Sequence, residues 1–177
     1  MSNKEQKFVP LNVAVMTVSD TRVAKNDMSG DLIAERLEQA GHRVVNRSIQ
    51  REDLGNLTSA FRALTDDSDI DVIVSTGGTG LTQRDGTPEA TAELIDKPIP
   101  GFGELFRMLS YEEIGASTIE SRAAAGVANG TIMFTLPGSP GACRLALDKI
   151  ILKQLDARTR PCNLVTLLPR IRHEEKP

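Results

Sequence analysis

A glycine-rich segment at residues 75–80 is the part of the sequence whose residue types most directly suggest chemistry. It reads Ser-Thr-Gly-Gly-Thr-Gly and overlaps the end of an apolar run, residues 71–76, that is typical of a buried strand. Glycines allow a sharp turn and bring backbone amide hydrogens close to a ligand. The segment therefore predicts a cradle for an anionic group such as phosphate, and the alternative interpretation is a tight turn without a ligand.

Two common phosphate-binding motifs are absent from this segment. The nucleotide-hydrolase loop GxxxxGK[ST] needs a lysine after its last glycine, whereas Leu81 and Thr82 follow Gly80 here. The dinucleotide-binding pattern GxGxxG needs a third glycine, and Gln83 occupies that position. Any phosphate site in this protein must therefore be of another type.

A second loop of similar character, residues 136–141, reads Leu-Pro-Gly-Ser-Pro-Gly and joins the last predicted strand to a helix. Its amides and the Ser139 hydroxyl are expected at the same sheet edge as the first loop. Two such loops predict an extended ligand. Because a helix terminus contributes only about 0.3–1 kcal/mol to anion binding, and micromolar affinity requires about 8 kcal/mol, other contacts must supply most of the affinity.

Acidic residues follow each of the first three predicted strands: Asp20 and Asp27 after the first, Glu52 or Asp53 after the second, and Asp85 after the third. Carboxylates can hold Mg²⁺, which bridges to phosphate oxygens during phosphoryl or nucleotidyl transfer. The alternative interpretations are a turn-forming role for Asp85 and a helix-capping role for Asp53. The two histidines, His42 and His173, have no catalytic constellation around them and are predicted to be ordinary surface residues.

The composition excludes several classes of protein. The chain has 177 residues, a size typical of one domain, and a net charge of -3 with both signs scattered along it. No basic face is available for nucleic acid, and five Phe, one Tyr and no Trp are too few for base stacking. Cys143 and Cys162 lie far apart and are predicted to be reduced thiols. We expect a cytoplasmic protein, because neither a signal peptide nor an apolar run of membrane-spanning length can be identified.

The apolar pattern predicts an α/β fold in which strands and helices alternate. A tail is expected at residues 1–11, a domain at 12–157 and a second tail without periodicity at 158–177. Asn129-Gly130 predicts a tight hairpin, so the mostly parallel sheet should have an antiparallel edge. Predicted strands are residues 12–18, 43–49, 71–76, 123–128 and 131–136. Predicted helices are 30–40 (capped by Ser29), 54–64, one capped by Thr87 with Pro88 at its first position, one through Phe102, Leu105, Phe106 and Leu109, and 141–155.

The apolar stripe from Phe102 to Leu109 is predicted to face the core. The alternative is that Phe102 and Met108 line a pocket or a subunit contact.

Several motifs, in order and spacing, together resemble the MoaB/MogA family of molybdenum cofactor biosynthesis proteins. The resemblance extends over residues 12–162, and residues 155–163 resemble the MoaB branch of the family. The motifs are Thr-Val-Ser-Asp-Thr (17–21), Asp-Met-Ser-Gly (27–30), Thr-Gly-Gly-Thr-Gly (76–80), Arg-Asp-Gly-Thr-Pro-Glu-Ala-Thr (84–91), Pro-Gly-Phe (100–102) and Leu-Pro-Gly (136–138).

The resemblance implies a three-layer α/β/α sandwich that binds molybdopterin and assembles as a homotrimer or homohexamer. It also implies adenylyl transfer, in which the molybdopterin phosphate attacks the α-phosphorus of Mg-ATP. The implied catalytic and metal-binding residues are Asp27, Glu52 and Asp85. The implied phosphate- or pterin-binding residues are Ser19, Asp20, Ser75, Thr76, Gly77, Gly78, Thr79, Gly80, Thr87, Ser121, Pro137, Gly138 and Ser139.

One departure from the family pattern concerns catalysis. Active members carry Pro-Asp-Glu after the second strand, whereas this chain has Gln-Arg-Glu-Asp at residues 50–53. Glu52 takes the place of the aspartate, and its extra methylene would displace a metal-binding carboxylate by about an ångström, a misplacement that can cost of order a hundredfold in rate. The alternatives are therefore an adenylyltransferase, a molybdopterin-binding or carrier protein without turnover, and, if the resemblance is discounted, a sugar-phosphate or flavin-phosphate binder.

Overall fold

The computed structural model describes residues 6–172, and its centre is a six-stranded sheet with strand order β2-β1-β3-β6-β5-β4. The first four strands in this order are parallel, and β5 and β4 are antiparallel additions at one edge. The strands are β1 (Asn12–Val18), β2 (Arg43–Gln50), β3 (Val72–Thr76), β4 (Lys97–Pro98), β5 (Ala124–Ala128) and β6 (Thr131–Leu136). The predicted mixed sheet is confirmed, whereas the short β4 had no counterpart in the prediction.

Helices cover both faces of the sheet. They are α1 (Met28–Gln39), α2 (Leu54–Thr65), α3 (Thr87–Ala92), α4 (Pro100–Ile114), α5 (Pro140–Ala146), α6 (Leu152–Gln154) and α7 (Leu168–Ile171), and a π-helical turn at Leu147–Ile151 joins α5 to α6. Within residues 6–172, no helix is long and apolar enough to cross a bilayer.

The two layers of the core follow from the alternation of side chains along the strands. Val13 and Val15 of β1 belong to a cluster with residues of α1, α4 and α5, whereas Ala14 and Met16 belong to one with Phe61 of α2. Successive strand residues point to opposite faces, so a strand buried on both faces needs a continuous apolar sequence. The apolar run at residues 12–18 predicted this burial correctly.

The hairpin between β5 and β6 forms where Asn129 and Gly130 were predicted to turn. Both residues have positive φ, 46° and 79°, as a two-residue turn with the twist of the strands requires. The residue pairing is antiparallel from Ala128 opposite Thr131 to Ala124 opposite Thr135.

Three details of the predicted helices and of the C-terminal segment need correction. The cap of α1 is Asp27, whose carboxylate accepts a hydrogen bond from the Gly30 amide, and not Ser29. The cap of α3 is Gly86, because Thr87 lies within the helix and its hydroxyl is used elsewhere. The C-terminal segment was expected to lack periodic structure, but Val165 and Leu168 are buried on helical turns.

His42 was predicted to be a surface residue, yet it is only 5% exposed. Its Nδ1 accepts a hydrogen bond from the Leu11 amide, and the ring of Phe8 lies against it with 5.2 Å between ring centroids. A position directly after the helix-ending Gly41 did not reveal this burial. His173 lies outside the described residues.

Candidate functional site

Two loops rich in glycine meet at the carboxyl ends of β1, β3 and β6. A cavity of about 530 Å³ lies between them and is lined by residues from both, including Gly77–80 of the first loop and Gly138 and Ser139 of the second. The Gly77 amide donates a hydrogen bond to the carbonyl of Leu136 at 3.0 Å. The predicted proximity of the two loops is therefore confirmed.

The first loop has a shape that only glycine accommodates readily. Gly77 and Gly78 have φ of 99° and 62°, in the region that side chains with a Cβ rarely adopt. A Cβ added to Gly78 would also lie 2.3 Å from the hydroxyl of Thr87. The turn is thus held in a form that leaves its backbone beside the cavity.

Several hydroxyls predicted to bind a ligand donate hydrogen bonds that hold the loops together. Thr76 donates to the carbonyl of Pro137 at 2.8 Å, Thr87 to the carbonyl of Gly77 at 2.9 Å, and Ser75 to the carbonyl of Phe134 at 3.2 Å. Thr76 lines the cavity, whereas Ser75, Thr87 and Pro137 do not. Ser75, Thr87 and Pro137 therefore support the loops from outside the lining of the cavity.

The remaining predicted serines differ in position. Ser19 lines the cavity, and its hydroxyl accepts hydrogen bonds from the amides of Thr21 and Arg22. Ser139 also lines it and caps α5 through the Ala142 amide at 3.2 Å. Ser121 lies outside the lining of this cavity.

The carboxylate of Asp27 is fully buried and is engaged by groups of the chain itself. One oxygen accepts from the Thr17 hydroxyl at 2.7 Å and from Arg47 at 3.3 Å. The other accepts from the Gly30 amide at 3.0 Å and lies 3.6 Å from Arg22. Asp27 therefore acts as a helix cap and counter-ion in this structure, and its predicted role in metal binding stays a prediction that this geometry does not favour.

Glu52 and Asp85 lie at the boundary between this cavity and a second one of about 630 Å³, and both residues line both cavities. Burial raises the pKa of Glu52, and the negative charges of Asp20 and Asp85 raise it further. A hydrogen bond from the Thr82 hydroxyl lowers the pKa of Asp85, and Thr82 approaches Asp85 through both its hydroxyl and its amide. The structure thus brings Glu52, Asp20 and Asp85 together and leaves Asp27 apart.

The carboxylate of Asp20 is engaged by other groups of the protein. Its carboxylate accepts from the Glu52 amide at 3.1 Å and forms an ion pair with Arg84. Asp53, as predicted, caps α2 through the Asn56 amide at 2.9 Å.

No group of three or more His, Cys, Asp or Glu side chains suited to a metal ion occurs within the described part of the chain. Magnesium, however, is commonly held by one or two carboxylates together with substrate phosphates. Glu52 and Asp85 fit this smaller donor set, because the charge repulsion that raises the pKa of Glu52 would be relieved by a cation.

Arginines were the functional candidates that the sequence reasoning did not identify. Arg22 lines the first cavity and donates to the carbonyl of Gly138 at 2.9 Å. Arg84 and Arg122 line the second cavity. A signal was present, because Arg84 begins the motif at 84–91 and Arg22 directly follows the motif at 17–21. Charges of both signs are scattered along the chain, however, and gave no reason to select these arginines.

Together, the fold and the cleft define an α/β/α protein with two glycine-containing loops and a carboxylate pair at the carboxyl edge of its sheet. Residues 14–157 match the family described as probable molybdopterin binding domain. The chain is 48% identical over 163 residues to molybdenum cofactor biosynthesis protein B of Escherichia coli (strain K12), covering 92% of this chain and 96% of that protein.

Solved structures give the same result. A crystal structure of molybdenum cofactor biosynthesis protein B matches with a TM-score of 0.85 and 40% identity, over 96% of this chain and 100% of the other. The tungsten cofactor synthesizing protein MoaB from Pyrococcus furiosus matches with a TM-score of 0.76 and 36% identity, over 92% and 98% of the two chains. The chain belongs to the MoaB/MogA family of molybdenum cofactor biosynthesis proteins.

Proposed function

We propose that this protein binds molybdopterin in the cleft between the Gly77–80 loop and the Gly138–Ser139 loop. The observation that carries the proposal is the meeting of two glycine-containing loops in one cavity of about 530 Å³. Ligand pockets of roughly 300–1,000 Å³ are the usual size for small molecules. The phosphate of molybdopterin would accept hydrogen bonds from backbone amides of the first loop. Ser19 and Ser139 would lie beside it.

Arg22 supports an anionic ligand at this cavity. Its guanidinium bridges the Gly138 carbonyl and the buried Asp27, so a positive charge is fixed at the cavity wall. Arg47 also contacts Asp27 and pairs with the exposed Asp31, so Arg22 does not have to neutralise Asp27 alone. A guanidinium at the wall of the cavity favours a phosphate, because guanidinium and phosphate groups form strong charge-assisted hydrogen bonds.

A second candidate function, adenylyl transfer to molybdopterin, is favoured by the position of Glu52 and Asp85 between the two cavities. In this reaction an oxygen of the molybdopterin phosphate attacks the α-phosphorus of ATP, and pyrophosphate leaves. Mg²⁺, held by Glu52 and Asp85, would supply the neutralisation of phosphate charge. The second cavity would hold the nucleotide, with Arg84 and Arg122 as its cations. A homotrimer or homohexamer in the cytoplasm completes the proposal.

One experiment distinguishes molybdopterin binding from adenylyl transfer. Purified protein is incubated with molybdopterin, first alone to measure binding and then with Mg-ATP to measure adenylylated product and pyrophosphate. We expect binding in both cases and equal amounts of the two products. Binding without product would favour the carrier function, and absence of binding would overturn both.

Variants test the residue roles in that assay. Asp85→Asn should abolish product while keeping molybdopterin binding, because only a metal-holding carboxylate is lost. Glu52→Asp should raise product formation, because the shorter side chain restores the family's residue. Asp66→Asn, at the exposed end of α2 near Asn129, serves as the control and should change neither quantity.

A further inference from the structure

We infer that Arg122 is a positioning residue that holds the Asp85 loop, defined here as residues 79–85, in its working shape. Arg122 lies just before β5, outside the loop, and its guanidinium reaches both ends of it. Nε donates to the carbonyl of Thr79 at 3.1 Å, and Nη2 donates to the carbonyl of Asp85 at 2.7 Å. Nη1 forms an ion pair with Glu89 in the first turn of α3.

One planar group therefore fixes three points of the chain. Within residues 6–172, the other hydrogen bonds of the loop backbone involve Gly80, Thr82 and Asp85 and are internal to the loop. Residues 81–84 of the loop are exposed, with Leu81 71% accessible to solvent. Arg122 thus supplies backbone anchors that tie the loop to the sheet.

The position of the Asp85 carboxylate depends on these anchors. The Thr82 hydroxyl and amide and the Gly80 amide fix the carboxylate within the loop. On the side of Glu52, the exposed Arg84 side chain donates to the Glu52 carbonyl at 3.2 Å and pairs with Asp20. The hydrogen bonds from Arg122 to the Thr79 and Asp85 carbonyls fix the loop relative to β5 and α3. Because a guanidinium is a rigid fork, it sets the distance between the two carbonyls as well as their charge environment.

The chain contains a second arginine with the same contact pattern, which provides a matched control. Arg172 donates from Nε to the carbonyl of Gly130 at 3.3 Å and from Nη2 to the carbonyl of Ile70 at 2.8 Å, and its Nη1 pairs with Asp71 at 2.8 Å. Its contacts lie at the amino ends of β3 and β6, away from the Asp85 loop. Removing either guanidinium should cost similar stability, but only Arg122 should affect the Asp85 loop.

The test compares Arg122→Gln, Arg122→Lys and Arg172→Gln with the unaltered protein. Amide hydrogen exchange is measured without ligand, and thermal unfolding confirms that each variant folds. In Arg122→Gln we expect exchange in residues 79–85 to rise by about tenfold or more, because two charge-assisted hydrogen bonds to the loop are lost. Arg122→Lys should protect the loop only partly, since a single ammonium cannot hold both carbonyls in the same geometry. Arg172→Gln should leave exchange in the loop unchanged.

A second arm measures molybdopterin affinity, and this arm rests on the proposed function. Arg122→Gln should weaken binding by about tenfold, because the mobile loop must be ordered on binding, and Arg172→Gln should not. Any of three outcomes would overturn the inference. The first is unchanged exchange of residues 79–85 in Arg122→Gln, and the second is complete protection of the loop in Arg122→Lys. The third is an equal effect of Arg122→Gln and Arg172→Gln on the loop. If the unaltered protein binds no molybdopterin, the proposed function fails, while the exchange measurement still decides the role of Arg122.

Discussion

Gly77 passes so close to Val18 that a Cβ at position 77 would lie 2.1 Å from the Val18 carbonyl oxygen. The carboxyl end of β1 and the turn after β3 are therefore in backbone contact. This contact, together with the φ of 99° at Gly77, explains why the turn needs glycine at this position.

Gly77→Ala should destabilise the protein by about 3 kcal/mol or more, because a disfavoured φ and a backbone clash act together. Urea unfolding measures the loss. Gly141→Ala is the matched control, since a Cβ at this helical glycine meets nothing within 4 Å. That variant should be neutral or more stable by about 0.5 kcal/mol. Equal losses in the two variants would contradict the close contact between Gly77 and Val18.

Asp27→Ala should lower the free energy of unfolding by about 3–5 kcal/mol, because it removes a buried carboxylate and leaves charged partners behind. Asp31 pairs with the same Arg47 but is exposed, so Asp31→Ala should cost less than about 1 kcal/mol. Chemical denaturation provides both values. In Asp27→Asn, Mg²⁺ binding measured by calorimetry should persist if Asp27 has a structural role, and its loss would restore Asp27 as a metal ligand.

Glu52→Gln should make the protein slightly more stable at pH 7, by less than about 1 kcal/mol, while adenylyl transfer falls. The pKa of Glu52 is raised by burial and by Asp20 and Asp85, so its charged form is disfavoured in the folded state at neutral pH. The corresponding stability is fully present below the ordinary pKa of 4.5 and is lost as pH rises through the folded pKa. Melting temperatures at pH 4 and pH 7 measure the effect. The exposed Glu38→Gln should show no such difference, and a destabilised Glu52→Gln would contradict the repulsion.

His42 should make the protein sensitive to mild acid. Burial lowers the pKa of His42 below its ordinary value of 6.5, although the charges of Asp156 and Asp71 act in the opposite direction. Protonation would also place a hydrogen on Nδ1, the atom that accepts the bond from the Leu11 amide. The unfolded chain therefore binds the proton more readily, and stability should decrease as pH falls below 6.5 toward the folded pKa.

His42→Asn tests this expectation, because its amide oxygen can replace Nδ1 as an acceptor and does not titrate. Urea unfolding is measured between pH 5 and pH 8, and the decrease in stability below pH 6.5 should be smaller in the variant. Identical pH profiles for the two proteins would show that another group causes the acid sensitivity.

The order of elements could be predicted because each depends on local patterns. The apolar run of β1, the left-handed Gly41 after α1 and the Asn129-Gly130 turn all follow from backbone sterics and side-chain periodicity over a few residues. The same patterns placed the two loops at one edge, since the carboxyl ends of parallel strands lie together.

The exact roles of polar side chains were less predictable, because they depend on neighbours distant in sequence. Ser29 was predicted to cap α1, but Asp27 caps it, and Thr17 and Arg47 also donate to the Asp27 carboxylate. His42 is buried because Phe8 covers it, which the sequence around Gly41 does not reveal.

The sequence alone determined the α/β class, the glycine turn and the family resemblance, because these depend on short patterns and their order along the chain. Only the tertiary structure showed that Glu52 and Asp85 line the same two cavities. It also showed that Arg22 and Arg47 contact Asp27, and that Arg122 forms hydrogen bonds with the Asp85 loop. Asp27 and Arg47 are 20 positions apart, and Arg122 and Asp85 are 37 apart, so these relationships depend on how the elements pack.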